Sequence, residues 1–321
     1  MAEVKSSGPG ADTTAQPRAV AAPKTGLQRI LAQYGVSYAF LLPYMIFFFA
    51  FLIIPVGVAI WLSFTYFNML EPPRVIGWSN YRLLFLEDDI FVLSIRNTLF
   101  FAVITGPVSL TASFLLAWFI NQIRVRTIYA LAFYAPSLTS AIAMAVVWRI
   151  VFSGDRYGYM NYFLMRMGFI QEPFLWLIDQ RTMLPVIMFV MLWMSMGNNF
   201  LVFLAGLQTV NTELYEAGKV DGISHPLQEM WYITLPSMKP QVLFGVINAV
   251  VLMFSAGFEI SLSLAGLPSP LYAAHMILSH LYDYAFIRFE MGYAAAIAVI
   301  LFIITFGVGQ GALRLLSTKD E

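Results

Sequence analysis

The sequence predicts an all-α integral membrane protein with six transmembrane helices, and three observations lead to that fold class. The 321-residue chain is 60% hydrophobic and only 11% charged, with a mean hydropathy of +0.74, whereas soluble domains carry about a quarter charged residues. Its Asp, Glu, Lys and Arg residues leave long charge-free intervals, and an unpaired charge in hydrocarbon is costly. These intervals approach or exceed the ~20 residues that a helix needs to cross a bilayer.

Six charge-free intervals mark the expected spans. They are residues 30–70, 97–123, 127–148, 182–212, 240–258 and 291–313. A seventh interval, 260–282, is broken by two prolines and two histidines, so we expect an outer, partly re-entrant loop there. Residues 1–26 are rich in Ala, Pro, Gly, Ser and Thr, which predicts a disordered cytoplasmic tail. Residues 27–321 are expected to form one six-helix transmembrane domain.

The lysines set the expected orientation. With both termini in the cytoplasm, every lysine falls on the inner side, and the acidic run 87–89 falls outside. The lysines are Lys5, Lys24, Lys219, Lys239 and Lys319. Positive residues favour the cytoplasmic side of a membrane, so we expect the polar loop 211–239 to face the cytoplasm.

Composition and motifs argue against several functions. The absence of cysteine excludes disulfides, thiolate metal sites and cysteine nucleophiles, and a formal net charge of zero gives no support for nucleic-acid binding. No Gly-rich Lys-Ser/Thr phosphate loop is present, and no set of catalytic residues stands out. His275 and His280 are five residues apart, which does not place them on one helical face, and no third ligand is evident. We therefore expect no metal site there, but a loop that contacts a partner protein.

The loop 211–239 has the local signals of a helical elbow. Asn211 is a helix-capping residue before an acidic first turn. Asp221-Gly222 is a turn signal in which Gly222 can take positive φ and end the helix. A second short helix is expected over 226–233, stopping before Pro236.

The elbow closely resembles the EAA loop of the membrane subunits of ABC importers. The residues that carry the resemblance occur in the family's order and spacing. They are Glu216, Ala217, Asp221, Gly222, Leu235 and Pro236. Two positions depart from the pattern, since the family's second alanine is Gly218 here and its third is Ile223.

The similarity covers residues 38–315 and is to the carbohydrate-uptake, maltose-importer-like group. Further matching segments lie on the other spans. They are Asn97-Thr98-Leu99, Pro136, Trp148, Asn161, Trp193, Gly197, residues 204–208 and residues 292–296. The resemblance implies an ABC importer permease fold in the bacterial cytoplasmic (inner) membrane. It also implies four partner chains: a second permease, two ATPase subunits and an extracytoplasmic solute-binding protein. ATP and Mg would be bound by the ATPase partner, with no cofactor in this chain.

By the same resemblance, the elbow docks on an ATPase. Glu216 and Asp221 would pair with basic residues of that partner, and Ala217 and Gly218 would keep one face small enough for close approach.

Polar residues near the centres of two spans are candidates for the substrate path. Asn198 and Asn199 lie near the middle of 182–212, and Asn248 and Phe254 lie on 240–258. Amides and an aromatic ring suit sugar hydroxyls and the C–H face of a sugar, but buried amides also join helices to each other, and Phe is a common packing residue. Glu259 is expected near the outer interface, as a rim salt-bridge partner or a pore-mouth residue.

The sequence thus predicts a permease for sugar or oligosaccharide, powered by separate ATPase subunits. Alternatives are a permease for another small solute, such as glycerol phosphate or a polyol, and an ion-coupled secondary transporter. The predicted spans lack interior ionisable residues and show no internal repeat, which disfavours the secondary transporter. A membrane-embedded enzyme is disfavoured because no catalytic constellation lies at membrane depth.

Overall fold

The computed structural model describes residues 26–317 apart from residue 256, and these are mostly helical. The tail predicted for residues 1–26 therefore lies, except for Gly26, outside the described residues. The chain divides into two units, of which the first ends at Val56. In the first unit, helix α1 (Gly26–Phe48) passes through a π-helical turn (Phe49–Ile53) into helix α2 (Ile54–Leu62), which runs on into the second unit.

The second unit holds one small hairpin and the remaining helices. The hairpin pairs strand β1 (Thr65–Tyr66) antiparallel with β2 (Arg74–Val75). The first helices after it are α3 (Ser79–Leu86), α4 (Asp89–Asn121), α5 (Arg126–Leu138), α6 (Ala141–Val151), α7 (Tyr159–Arg166) and α8 (Met183–Leu207). They are followed by α9 (Thr212–Val220), α10 (Pro226–Glu229), α11 (Leu235–Ser237), α12 (Lys239–Ser255), α13 (Gly257–Ala265), α14 (Ile277–Tyr282) and α15 (Met291–Ser317).

Within the described residues, five helices are long and apolar enough to cross a membrane, or six if α5 and α6 form one bent span. The third predicted span, 127–148, was expected to be continuous, but α5 and α6 meet at 97°. Pro136 lies inside the last turn of α5, where its missing N–H leaves one helical hydrogen bond unmade, and the Thr139 N–H bonds to the Pro136 carbonyl before α6 begins.

The second and fifth spans also begin or end elsewhere than expected. Asp88 caps α4 by accepting a hydrogen bond from the Phe91 N–H (2.9 Å), so this helix starts eight residues before the predicted residue 97. Arg96 therefore lies two turns inside the helix rather than at its end. The fifth span runs over Lys239–Ala265 and so includes Glu259, whose charge had set the predicted end at 258.

The core is made where α4, α8 and the fifth span pack together. One apolar cluster includes Phe101, Ile187 and Met253, and a second, nearer the elbow, includes Phe203 and Met238. Together these clusters fix the helices that lead into and out of the elbow.

Candidate functional site

The first half of the elbow (residues 211–239) is a short helix with both ends capped. The Asn211 side chain accepts a hydrogen bond from the Glu213 N–H (3.0 Å). At the other end Gly222 has φ +91°, and the Ile223 N–H reaches back to the Gly218 carbonyl (2.9 Å). This geometry is a Schellman cap, and it confirms the predicted turn at Asp221-Gly222.

The inner side of α9 packs against the second half of the elbow. A Cβ added to Gly218 would lie 2.6 Å from Ile233 Cδ1, and the Tyr215 and Thr234 hydroxyls are 3.0 Å apart. The small residue at 218 thus makes room for Ile233 of the same chain. Gly218 is buried inside the elbow, so the close approach seen in this chain is to Ile233, and a role of Gly218 in ATPase coupling stays a prediction.

The sequence predicts that the second helix of the elbow stops before Pro236. In the structure the helical path continues through Pro236. His225 caps α10, its Nδ1 accepting from the Leu227 N–H (3.2 Å), and a π-helical turn, Met230–Thr234, then leads into α11. The Leu235 N–H bonds to the Met230 carbonyl. Pro236 follows in the first turn of α11, where a missing N–H is tolerated.

The outer side of the elbow is exposed. Glu216, Ala217 and Asp221 all face away from the packed side, and Val220 is 88% exposed. Among the described residues, neither carboxylate has a hydrogen bond or ion pair to another side chain. Leu235 is half-buried and Pro236 exposed. The elbow is therefore rigid within and presents two unpartnered carboxylates outward.

The four substrate-path candidates have different surroundings in the structure. Asn248 Nδ2 donates to Asn199 Oδ1 (3.0 Å), joining the fifth span to α8, and Asn199 is 1% exposed. This is the helix-joining arrangement that was the alternative to sugar binding. Phe254 is buried in the core. The side chain of Asn198 lies outside the described part, and a substrate role for all four residues stays a prediction.

A cavity with a partly polar lining lies near the middle of the bundle, and of its lining residues the sequence had singled out Glu259 alone, as a pore-mouth candidate. It has a volume of about 190 Å³, and its polar lining comes from Ser137, Thr139, Ser195 and Glu259. Ser195 is the central residue of α8. Thr139 lies at the break between α5 and α6, which is the middle of that bent span. Leu252, which also lines the cavity, is central in the fifth span. The centres of three spans therefore meet at this cavity, which is called the midplane cavity below.

The wall of the midplane cavity depends on a close helix approach. A Cβ on Gly197 would lie 2.5 Å from Ser137 Oγ, so glycine lets the end of α5 rest on α8. Ser195 Oγ is 2.6 Å from Ser109 Oγ of α4. The rim salt bridge expected for Glu259 is not formed within the described part of the chain, and Glu259 instead lines the wall of the cavity.

At the end of the fifth span opposite the elbow, residues 266–290 form a cap on α4 and α15. Asn97 Nδ2 donates to the carbonyls of Tyr272 (3.2 Å) and His275 (3.0 Å), and Thr98 Oγ1 accepts from the Ile277 N–H (2.9 Å). These contacts give the Asn97-Thr98 pair a structural role.

The cap encloses a polar cluster around Asp88. Its Oδ2 accepts from His280 Nε2 (3.0 Å) and from the Tyr293 hydroxyl (2.8 Å), and His275 Nε2 is 3.1 Å from His280 Nδ1. Both histidines are 2% exposed, so they pack inside the cap, and the expectation that the loop around them contacts a partner protein stays a prediction. His275 precedes α14, so the two rings meet despite the five-residue spacing. No group of three potential metal ligands occurs in the described residues.

Burial and hydrogen bonding shift the pKa values in this cluster. Desolvation raises the pKa of Asp88, but hydrogen bonds from His280, the Phe91 N–H and Tyr293 outweigh it and lower that pKa well below its ordinary value of 3.8. Desolvation, together with the nearby His280, lowers the pKa of His275 from 6.5 to about 4. His275 is therefore neutral at physiological pH.

Fold and site together define a multi-pass helical membrane protein with an exposed elbow and a polar midplane cavity. The chain belongs to the family of binding-protein-dependent transport system inner membrane components, whose family model matches residues 97–314. The arabinooligosaccharides transport system permease protein AraP of Bacillus subtilis (strain 168) is 31% identical over 307 residues, covering 94% of this chain and 95% of that protein.

Two solved structures share the fold. One is a bacterial ABC transporter involved in the import of the acidic polysaccharide alginate, with a TM-score of 0.78 and 23% identity, covering 92% of this chain and 99% of that chain. The other is a bacterial alginate ABC transporter in complex with an alginate pentasaccharide-bound periplasmic protein, with a TM-score of 0.75 and 24% identity, covering 91% of this chain and 99% of that chain.

Proposed function

We propose that this chain is the membrane-spanning permease subunit of an ABC importer that carries a sugar or oligosaccharide across the bacterial cytoplasmic membrane. Family membership supports the importer class, and the similarity to a permease named for arabinooligosaccharides supports a carbohydrate substrate. The midplane cavity is the proposed solute site, because its hydroxyls and carboxylate are groups that bond to sugar hydroxyls.

The observation that carries the coupling role is the contrast between the two sides of the elbow. Its inner side is fixed by Gly218, Ile233 and the Tyr215–Thr234 contact, so α9 is packed against the π-helical turn that leads through α11 into α12. Its outer side presents Glu216 and Asp221 without partners in the described chain. A rigid helix held at both ends transmits a displacement of its docking partner to the spans.

The proposed partners are two ATPase subunits, which bind ATP and Mg, a second permease that forms a heterodimer with this chain, and an extracytoplasmic solute-binding protein. The complex of a similarly folded transporter with a periplasmic protein supports the last of these. In this proposal both termini and the elbow face the cytoplasm, on the side of the ATPase, because the lysines favour that orientation.

The test of coupling is Glu216→Lys in the assembled complex. We expect ATPase stimulation by the binding protein to be lost and oligosaccharide uptake to fall about ten-fold or more, because reversing a charge at a docked interface leaves the opposing charge unpaired. Glu216 makes no contact that stabilises the fold, so membrane insertion should not change.

Glu172→Lys is the matched control, since Glu172 is also exposed but lies outside the elbow, on the segment before α8. Its uptake should equal that of the wild type. Uptake at the wild-type level by the Glu216→Lys complex, or failure of any ATPase chain to co-purify with the wild type, would contradict the proposal.

A further inference from the structure

One ionisable side chain lies on the wall of the midplane cavity. Among the described residues that line it, Glu259 is the only charged one. The others are the hydroxyl residues Ser137, Thr139 and Ser195 and the apolar residues Ala141, Met191, Met194, Leu252 and Ile260. The electrostatic character of the cavity is therefore set by Glu259.

Nothing in the described chain neutralises Glu259. The carboxylate makes no ion pair or hydrogen bond within residues 26–317 as described, and it is exposed toward the cavity rather than packed. A charge within a membrane span is costly and is retained where it faces water or a solute. A structural carboxylate at this depth would instead be paired.

We infer that Glu259 makes the midplane cavity a charge filter that admits neutral and cationic solutes and disfavours anionic ones, such as uronates and phosphates. The step from cavity to substrate class rests on the proposed transport function, whereas the sign of the charge rests on Glu259 alone. A sphere of about 190 Å³ is narrower than the Debye length of about 8 Å at physiological ionic strength, so a solute inside it feels the carboxylate with little screening. The same oxygens accept hydrogen bonds from the hydroxyls of a neutral sugar.

The chain has no cysteine, so one introduced thiol can report the local charge. Thr139→Cys places it at an exposed position on the cavity wall. In the assembled complex, the measurement is the ratio of its modification rates by a cationic (trimethylammonium) and an anionic (sulfonate) methanethiosulfonate reagent, followed by mass spectrometry of this chain's own peptide.

We expect Glu259→Gln to lower the cation-to-anion ratio about five-fold or more, and Glu259→Asp to keep it near the starting value. Tyr157→Cys, on the loop between α6 and α7, 88% exposed and not among the residues that line the cavity, is the control, and its ratio should be the same in all three backgrounds. With Glu259 in place, neutral arabinose should slow modification at 139, and galacturonate should not.

A ratio at position 139 that does not respond to Glu259→Gln would overturn the inference. So would equal slowing by arabinose and galacturonate in the chain that retains Glu259. If Glu259→Gln abolishes labelling at 139 but not at 157, the cavity has collapsed, and Glu259 is structural rather than a filter. A wild-type complex that takes up no sugar, but whose ratio still falls with Glu259→Gln, would contradict the proposed function and leave the charge filter supported.

Discussion

The elbow and the cap lie at opposite ends of the fifth span, and they treat their polar residues in opposite ways. In the elbow, the carboxylates of Glu216 and Asp221 are exposed and have no partner among the described side chains. Beneath the cap, Asp88 accepts hydrogen bonds from His280 and Tyr293, and the histidines are buried. Polar side chains that are hydrogen-bonded inside the chain hold a helix or loop in place. Polar side chains that are exposed on a rigid element can bind another molecule. Substitutions under the cap should therefore act on stability, and substitutions in the elbow on transport.

The largest effect is expected for Asp88→Asn. The neutral amide weakens the charge-assisted hydrogen bonds from His280 and Tyr293 and turns an N–H toward buried donors, so the free energy of unfolding should fall by about 3 kcal/mol or more. Thermal unfolding followed by tryptophan fluorescence measures the loss, and hydrogen exchange in peptides from 266–290 locates it.

Asp89→Asn is the neighbouring control, because Asp89 is exposed in the first turn of α4. Its cost should be that of a surface helix charge, about 0.5 kcal/mol. Equal losses for the two variants would mean that the buried cluster does not hold the cap.

The second effect is a pH dependence of the cap that comes from His275. Its folded pKa of about 4 lies below the unfolded 6.5, so between these values the unfolded state binds more protons. The contribution is complete above pH 6.5 and is lost as the pH falls toward 4, by at most about 3 kcal/mol. Unfolding measured at pH 7 and pH 5 should show the loss, and His275→Gln should reduce it.

The exposed His225 supplies the comparison for this experiment. His225→Gln should keep the wild-type difference between the two pH values. A pH dependence that His275→Gln leaves unchanged would assign the titration to other groups.

The smallest of the three effects on stability is expected for Gly222→Ala. This substitution should also lower transport. Gly222 has φ +91° with open space around it, so the substitution costs about 1 kcal/mol of backbone strain. Gly168→Ala is matched to it, since Gly168 has φ +77° with equally open space and lies outside the elbow.

Both alanine variants should lose similar stability, but only Gly222→Ala should lower oligosaccharide uptake relative to ATP hydrolysis. Equal uptake in the two would show that the exact shape of the elbow turn does not matter for coupling.

The spans were largely readable from the sequence because the cost of burying a charge acts on every residue of a span. That rule misplaced the boundaries at Arg96 and Glu259, where a charged residue lies on a helix that continues past it. Gly222 was also readable, since the Asp-Gly turn is a local signal. Pro136 and the Ser-Leu-Thr-Ser run after it were a usable signal for the break between α5 and α6.

The cap cluster and the midplane cavity had no local signal. Asp88 and His280 meet across 192 residues of sequence, and the cavity is lined by residues from α5, α6, α8, α12 and α13. Gly218 shows a second limit of the sequence. A glycine that makes room for Ile233 of the same chain looks the same in sequence as one that makes room for a partner.

The break in the third span has a consequence for biogenesis. α5 has 13 residues and α6 has 11, which at 1.5 Å per residue is about 20 Å and 17 Å, short of the ~30 Å hydrocarbon core. Neither half spans the bilayer alone, and the backbone at the break needs protein or water around it. Because Ser137 rests on Gly197, α8 must emerge from the ribosome before this pair can settle. The third span, although made earlier, therefore reaches its final place after the fourth.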